Sequence, residues 1–180
     1  PGQAGGHGAA VQITSPGAVT PGAISTAGGA AITPGPAAGG NAGNITVTNN
    51  STTAGAIALG ALTSTAGAAF GTGAGGTTGT IQVTNSAAGL GLTTGAITAS
   101  GATNATGGNV TLSSQGGTTV SGLINTSGGA PGTGMVSGGR SAGNITTFNV
   151  PACQYMKFAE ADRNGIAILN SDFLMARSST

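Results

Sequence analysis

Charge is nearly absent from this chain of 180 residues: seven side chains are Asp, Glu, Lys or Arg, and Arg140 is the only one before Val150. A net charge of +1 leaves no electrostatic footprint for nucleic acid or an anionic membrane surface, which excludes both as partners. Tryptophan is missing and aromatic residues make up 3% of the chain, so an ordinary large globular core is excluded. Any interior must be thin, built from small aliphatic side chains stacked on one another. The single cysteine, Cys153, excludes an internal disulfide and leaves a link between chains or a tolerated thiol, the latter favoured because no His lies near it in sequence. There is no apolar run of about 18 residues, so no helical membrane insertion is expected. The chain starts at Pro1 without a Met or a signal-like segment, and the expectation is a processed or partial product of an exported protein.

What the chain has in abundance is glycine, with 37 residues, beside 7 prolines. An aperiodic chain of that composition reads as disordered. Periodicity argues the other way, together with near-neutrality and many Val, Ile and Thr residues. One short strand is written five times: "GAAVQITSP", "GNITVTNN", "GTIQVTNS", "GNVTLSS" and "GNITTFN". Its anchors, Val11, Ile45, Ile81, Val110 and Ile145, lie 34, 36, 29 and 35 residues apart. A second family follows each of the first four anchors, at residues 22–29, 60–67, 95–102 and 122–129, and a weaker third segment such as "AGAIALG" or "TTVSG" lies between the two.

Within each copy the pattern alternates with period two, so Ile45 and Val47 face one way while Thr46 and Thr48 face the other. Three short strands joined by Gly, Asn and Ser corners describe one coil of a repeat fold. The predicted fold class is therefore all-β, a parallel β-helix (β-solenoid) of irregular repeats of 29 to 36 residues. Stacking would align Val11, Ile45, Ile81 and Val110 in one inner column and Ile24, Leu62, Ile97 and Ile124 in another. It would place an outward hydroxyl column at Thr14, Thr48, Thr84 and Ser113, with Gly and Ala stretches in tight corners and protruding loops.

The lines "GNITVTN", "GAITASGA" and "GGNVTL" resemble the passenger repeats of large secreted bacterial surface proteins, the filamentous-haemagglutinin-like adhesins and autotransporter β-helices, over residues 5–150. That resemblance implies a right-handed parallel β-helix, an extracellular or cell-surface location, and a stalk, adhesive or filament-forming role with a surface glycan or host ligand as partner where adhesion is the function. The family brings no catalytic motif, and the recruitment domain that opens a complete adhesin passenger has no counterpart here.

Composition changes at Pro151, so the expected domains are a solenoid over 1–150 and a charged, aromatic segment over 151–180. The latter reads as a β-hairpin-like module turning at Asn164 and Gly165, burying Tyr155, Phe158, Ile168 and Phe173 in a cap or a self-association contact. "EADRNG" places Glu160, Asp162 and Asn164 as in the start of a calcium loop, but Glu replaces the first Asp and Ser171 stands where the bidentate acid belongs. The plain turn is the favoured reading, and no cofactor or metal is expected.

Other motifs dissolve on inspection. "GRSAG" centres on Ser141, yet the lone His7 lies at the other end of the chain and every carboxylate lies beyond Pro151, so a catalytic triad lacks partners. "GTGAGG" at 71–76 has no Lys or acidic companion and reads as a loop. His7 has no second ligand for a metal. Sequons at Asn44, Asn49, Asn50, Asn104, Asn109, Asn125 and Asn144 follow from composition. The body carries no cluster of acids for polysaccharide cleavage, and no enzyme is expected.

The function expected from sequence is structural. The ends of a short stacked β fold expose unpaired strand edges, and a neutral chain has few charges with which to block them. Head-to-tail stacking on itself, or on the rest of a longer repeat protein, is the natural outcome. Ice binding through the outward Thr column is the alternative, weakened by Gln12, Gln82 and Ser113 among the ranked Thr positions.

Overall fold

The computed structural model describes residues 2–32, 35–132 and 139–148, and within them the protein is all-β, with no helix. Twelve strands form three parallel sheets. Sheet one contains β1 (Val11–Ser15), β3 (Ile45–Asn49), β6 (Ile81–Asn85), β9 (Val110–Ser114) and β12 (Ile145–Phe148), in that spatial order. Sheet two contains β4 (Ile57–Leu59), β7 (Leu92–Thr94) and β10 (Thr118–Val120), extended by a parallel bridge from Val19 to Ile57. Sheet three contains β2 (Ile24–Ser25), β5 (Leu62–Thr63), β8 (Ile97–Thr98) and β11 (Ile124–Asn125). The chain visits the three sheets in the same rotation on every pass, and each pass pairs with the one before it.

Register follows the apolar alternation. Val11, Ile45, Ile81, Val110 and Ile145 are successive partners in sheet one, and Ile24, Leu62, Ile97 and Ile124 are partners in sheet three. A slip of one residue would turn every inner side chain outward, so the alternation pins the pairing. Ile45, Val47, Ile57, Leu62, Leu92, Ile97, Val110 and Leu112 are fully buried, in an apolar cluster that is wholly aliphatic. Burying each contributes about 1.5–3 kcal/mol. Between sheets one and two the later passes turn through Gly55, Gly89 and Gly117, whose φ angles of 90°, 68° and 102° lie where residues with a Cβ are strained.

Most glycines do something else. From sheet three the chain runs out along residues 26–32, reverses, and returns to sheet one along 37–43; residues 64–70 and 73–79 repeat this. The hydrogen bonds of the return legs recur every three residues, the period of the polyproline II helix. On the return legs Gly5 N donates to Ala38 O (2.9 Å), Gly8 N to Asn41 O (2.7 Å) and Val11 N to Asn44 O (2.9 Å). Outgoing and return legs also bond directly to each other, with Gly40 N donating to Gly29 O (2.8 Å), Gly67 N to Gly40 O (2.9 Å) and Gly76 N to Gly67 O (3.1 Å).

This spine leaves no room for side chains between its legs. A Cβ on Gly40 would fall on the carbonyl of Gly6, and one on Gly67 on the carbonyl of Gly29. As in collagen, chains that touch backbone to backbone admit only glycine at the contact. The Gly-rich stretches that composition assigns to corners and loops are therefore largely an ordered two-layer extension of the core.

Candidate functional site

The sequence-predicted hydroxyl column lies on sheet one, where Thr14, Thr48, Thr84 and Ser113 are register partners, Thr14 exposed and the rest half-buried. The next position in the column is Phe148, 52% exposed, which ends the run of hydroxyls. A neighbouring column holds Gln12, Thr46, Gln82, Thr111 and Thr146. Tyr155, Phe158, Ile168 and Phe173, the calcium candidates Glu160, Asp162 and Asn164, and Cys153 all lie outside the described residues.

Alongside the columns, the return legs carry brackets from one pass to the next. Asn41 N donates to His7 Nδ1 (2.9 Å), Thr77 N to Asn41 Oδ1 (2.9 Å), Thr80 N to Asn44 Oδ1 (2.9 Å) and Asn144 N to Asn109 Oδ1 (2.9 Å). In each, the side chain of the earlier pass accepts a backbone N–H of the later one. Among the described residues these N–H groups have no carbonyl acceptor, and the brackets satisfy donors that period-three geometry leaves over. His7 is thereby engaged in holding the fold. Ser141 lies four passes from it, about 19 Å at the usual strand spacing and far beyond hydrogen-bond reach. Residues 71–76 include an arm tip, where Gly73 N donates to Phe70 O (3.1 Å) and Gly71 has φ 60°.

The sequence reading missed the inner asparagines. Asn49 and Asn85 are buried register partners at the end of the apolar face of sheet one, joined by Asn49 Nδ2 donating to Asn85 Oδ1 at 3.0 Å. The signal was available: period two places both on the inward face, where an amide demands partners. Of the sequons, Asn49 and Asn104 are buried, and Asn104 Nδ2 donates to Gly73 O (3.0 Å), so neither offers a free amide for glycosylation.

The two ends of the stack are its most reactive surfaces. At one end Val11 and Ile13 are only half-buried, whereas their partners Ile45 and Val47 are fully buried. At the other, Ile145 is half-buried over a fully buried Val110. Polar groups are left over as well. Among the described residues, the C=O groups of Ala4, His7 and Ala10 and the N–H of Ala10 have no partner at the first end, and the N–H of Ala142 and the side chain of Asn144 have none at the second.

No family model, curated protein or solved structure matches this chain. Function therefore rests on the geometry. The described body offers ranked neutral side chains on its flanks and open hydrogen-bonding edges at its ends. Among the described residues His7 and Arg140 are the only ionisable side chains, and no group of three His, Cys, Asp or Glu exists.

Proposed function

We propose that this chain is a parallel β-solenoid with a structural role outside the cell, either the subunit of a self-assembling filament or a segment of a surface-adhesin stalk of the filamentous-haemagglutinin-like type. The observation that carries this reading is the unbroken register across five passes of sheet one, ending at both sides in half-exposed aliphatic residues and unpaired backbone groups. A strand edge of this kind is a template for another chain, and this body has almost no charge with which to repel one. A heterologous contact between unlike ends need not close, so it propagates. Residues 151–180, with their charge and aromatic side chains, act in this reading as the cap or coupling between subunits.

Electron microscopy and fibre diffraction of the purified protein, with and without residues 151–180, test the proposal. Uniform fibres with a repeat of about 4.8 Å along the axis are expected of a filament subunit; their loss on truncation assigns the coupling to residues 151–180, and their persistence assigns it to the end faces of the stack. Dispersed particles in both samples leave the stalk segment as the surviving reading. The register of Thr14, Thr48, Thr84 and Ser113 also supports a second reading, ice binding, for which the test is the shaping and growth arrest of single ice crystals in the presence of the protein.

A further inference from the structure

We propose that two copies of this chain meet in one defined register, with residues 139–148 of one copy seated against residues 4–14 of the next as though they were consecutive passes of a single chain. This rests on the self-stacking reading above and specifies its contact. Along residues 139–148, the relation between the fourth and fifth passes can be continued by one further step with donor matched to acceptor.

Gly107 N donates to Ser141 O (2.9 Å) and Val110 N donates to Asn144 O (2.9 Å). Continued by one step, Ala142 N meets the His7 carbonyl of a second copy, and Ile145 N meets its Ala10 carbonyl. Asn144 N donates to Asn109 Oδ1 (2.9 Å), and the same step brings the Ala10 N–H of the second copy to Asn144 Oδ1. Among these groups, the N–H of Ala142, the side chain of Asn144, the N–H of Ala10 and the carbonyls of His7 and Ala10 have no partner among the described residues. Donor faces acceptor at each position. The apolar column continues too, placing the half-exposed Val11 over the half-exposed Ile145, as Ile45 lies over Val11.

Polarity makes the match specific. Along the legs the bonds between passes run from the earlier N–H to the later C=O, as in Gly5 to Ala38, Gly39 to Ala74 and Gly107 to Ser141. On this side of the molecule one end is therefore left with acceptors and the other with donors. Two like ends would set carbonyl against carbonyl, so the contact is head to tail and its occupant is a second copy. The contact carries a single charged side chain, Arg140, and so no like-charge pair opposes it.

Cysteine cross-linking of the full chain tests the register. In a Cys153→Ser background, Gln12→Cys and Thr146→Cys are introduced together. Within one chain these positions lie four passes apart, about 19 Å, so they cannot join each other. Between stacked copies they become register neighbours at about 4.8 Å, inside the range a disulfide spans. Mild oxidation with diamide is expected to give a ladder of covalent multimers, reversed by reductant. The pair Thr14→Cys with Thr146→Cys, shifted two residues along the strand to about 8 Å, is expected to give none. Asn144→Ala is expected to weaken association about five- to tenfold by removing one bracket.

Sedimentation of the Cys153→Ser protein separates the ways of failing. Multimers without the 12–146 cross-link, or with the 14–146 cross-link instead, overturn this register while leaving self-stacking in place. A protein that stays monomeric in every sample overturns both.

Discussion

Asn49 and Asn85 hold one another inside the stack, Asn49 Nδ2 donating to Asn85 Oδ1 at 3.0 Å while Asn85 Nδ2 donates to the carbonyls of Leu90 (3.0 Å) and Gly91 (2.9 Å). Asn85 Oδ1 also accepts from Ala87 N (3.1 Å), so one buried amide closes the corner between sheets one and two. Asn85→Ala strands these groups away from water and is expected to cost about 1–3 kcal/mol, read as a lowered urea midpoint. Asn85→Asp should do more damage at neutral pH, because burial among carbonyls raises the carboxyl pKa. A raised folded-state pKa means the Asp form regains stability below its unfolded pKa and loses it as pH rises through the folded one. Unfolding curves at several pH values check the sign, and an Asp variant that gains stability on going from acid to neutral pH refutes the assignment.

Glycine substitutions should separate two classes that composition cannot distinguish. Gly40→Ala drives a methyl group into the Gly6 carbonyl on the return leg of the preceding pass, where the nearest atoms are all backbone and nothing flexible can yield. A loss of about 3 kcal/mol or more is expected. Gly6→Ala, one pass away, meets nothing within 4 Å and has no positive φ, so it should be neutral or stabilising by up to about 1 kcal/mol. Thermal unfolding of the pair settles the matter; equal effects would mean that the spine does not exist in solution.

How far the sequence shows the fold depends on which period a segment obeys. The strands announce themselves because Ile45, Thr46, Val47 and Thr48 alternate, and the alternation sets both the inner columns and their register. The return legs do not, since their period is three and the side chains are mostly Gly and Ala, too small to write a hydrophobic pattern. Gly5 and Gly8, Gly40 and Gly43, and Gly73, Gly76 and Gly79 do keep that period, but its meaning rests on neighbours 30 or more residues away. Asn49 and Asn85 were hidden for a different reason: an amide at a strand end reads as a turn residue until the corner it closes is known. The end faces follow from pairing order, which a single sequence implies without displaying.

Thr118 is the one buried polar side chain among the described residues whose oxygen lacks a partner. It stands in the inner column below Leu92, at 2% exposure, where an aliphatic side chain occupies the other passes. A buried hydroxyl without a bond carries an uncompensated desolvation cost. Thr118→Val keeps the shape and should stabilise the fold by about 1 kcal/mol, seen as a raised midpoint in thermal unfolding. A lowered midpoint would place an ordered water on the hydroxyl, supplied from the adjoining cavity of about 230 Å³ that Thr93 and Thr119 also line.

Salt should distinguish stacking through backbone edges from coupling through charge. Six of the seven charged residues lie beyond Val150, while the faces proposed to meet contain only Arg140. Interactions between exposed charges are screened over about 3 Å at 1 M ionic strength, compared with about 10 Å at 0.1 M, whereas hydrogen bonds and apolar burial in the stack are not. Sedimentation at low and high NaCl should therefore give the same assembly size if the end faces supply the affinity. A steep loss of assembly with salt would assign the coupling to Lys157, Glu160, Asp162, Arg163, Asp172 and Arg177, and would make the open edges a consequence of the fold without a part in association. Sodium sulfate offers the complementary check, because it strengthens apolar burial and should lengthen edge-stacked assemblies.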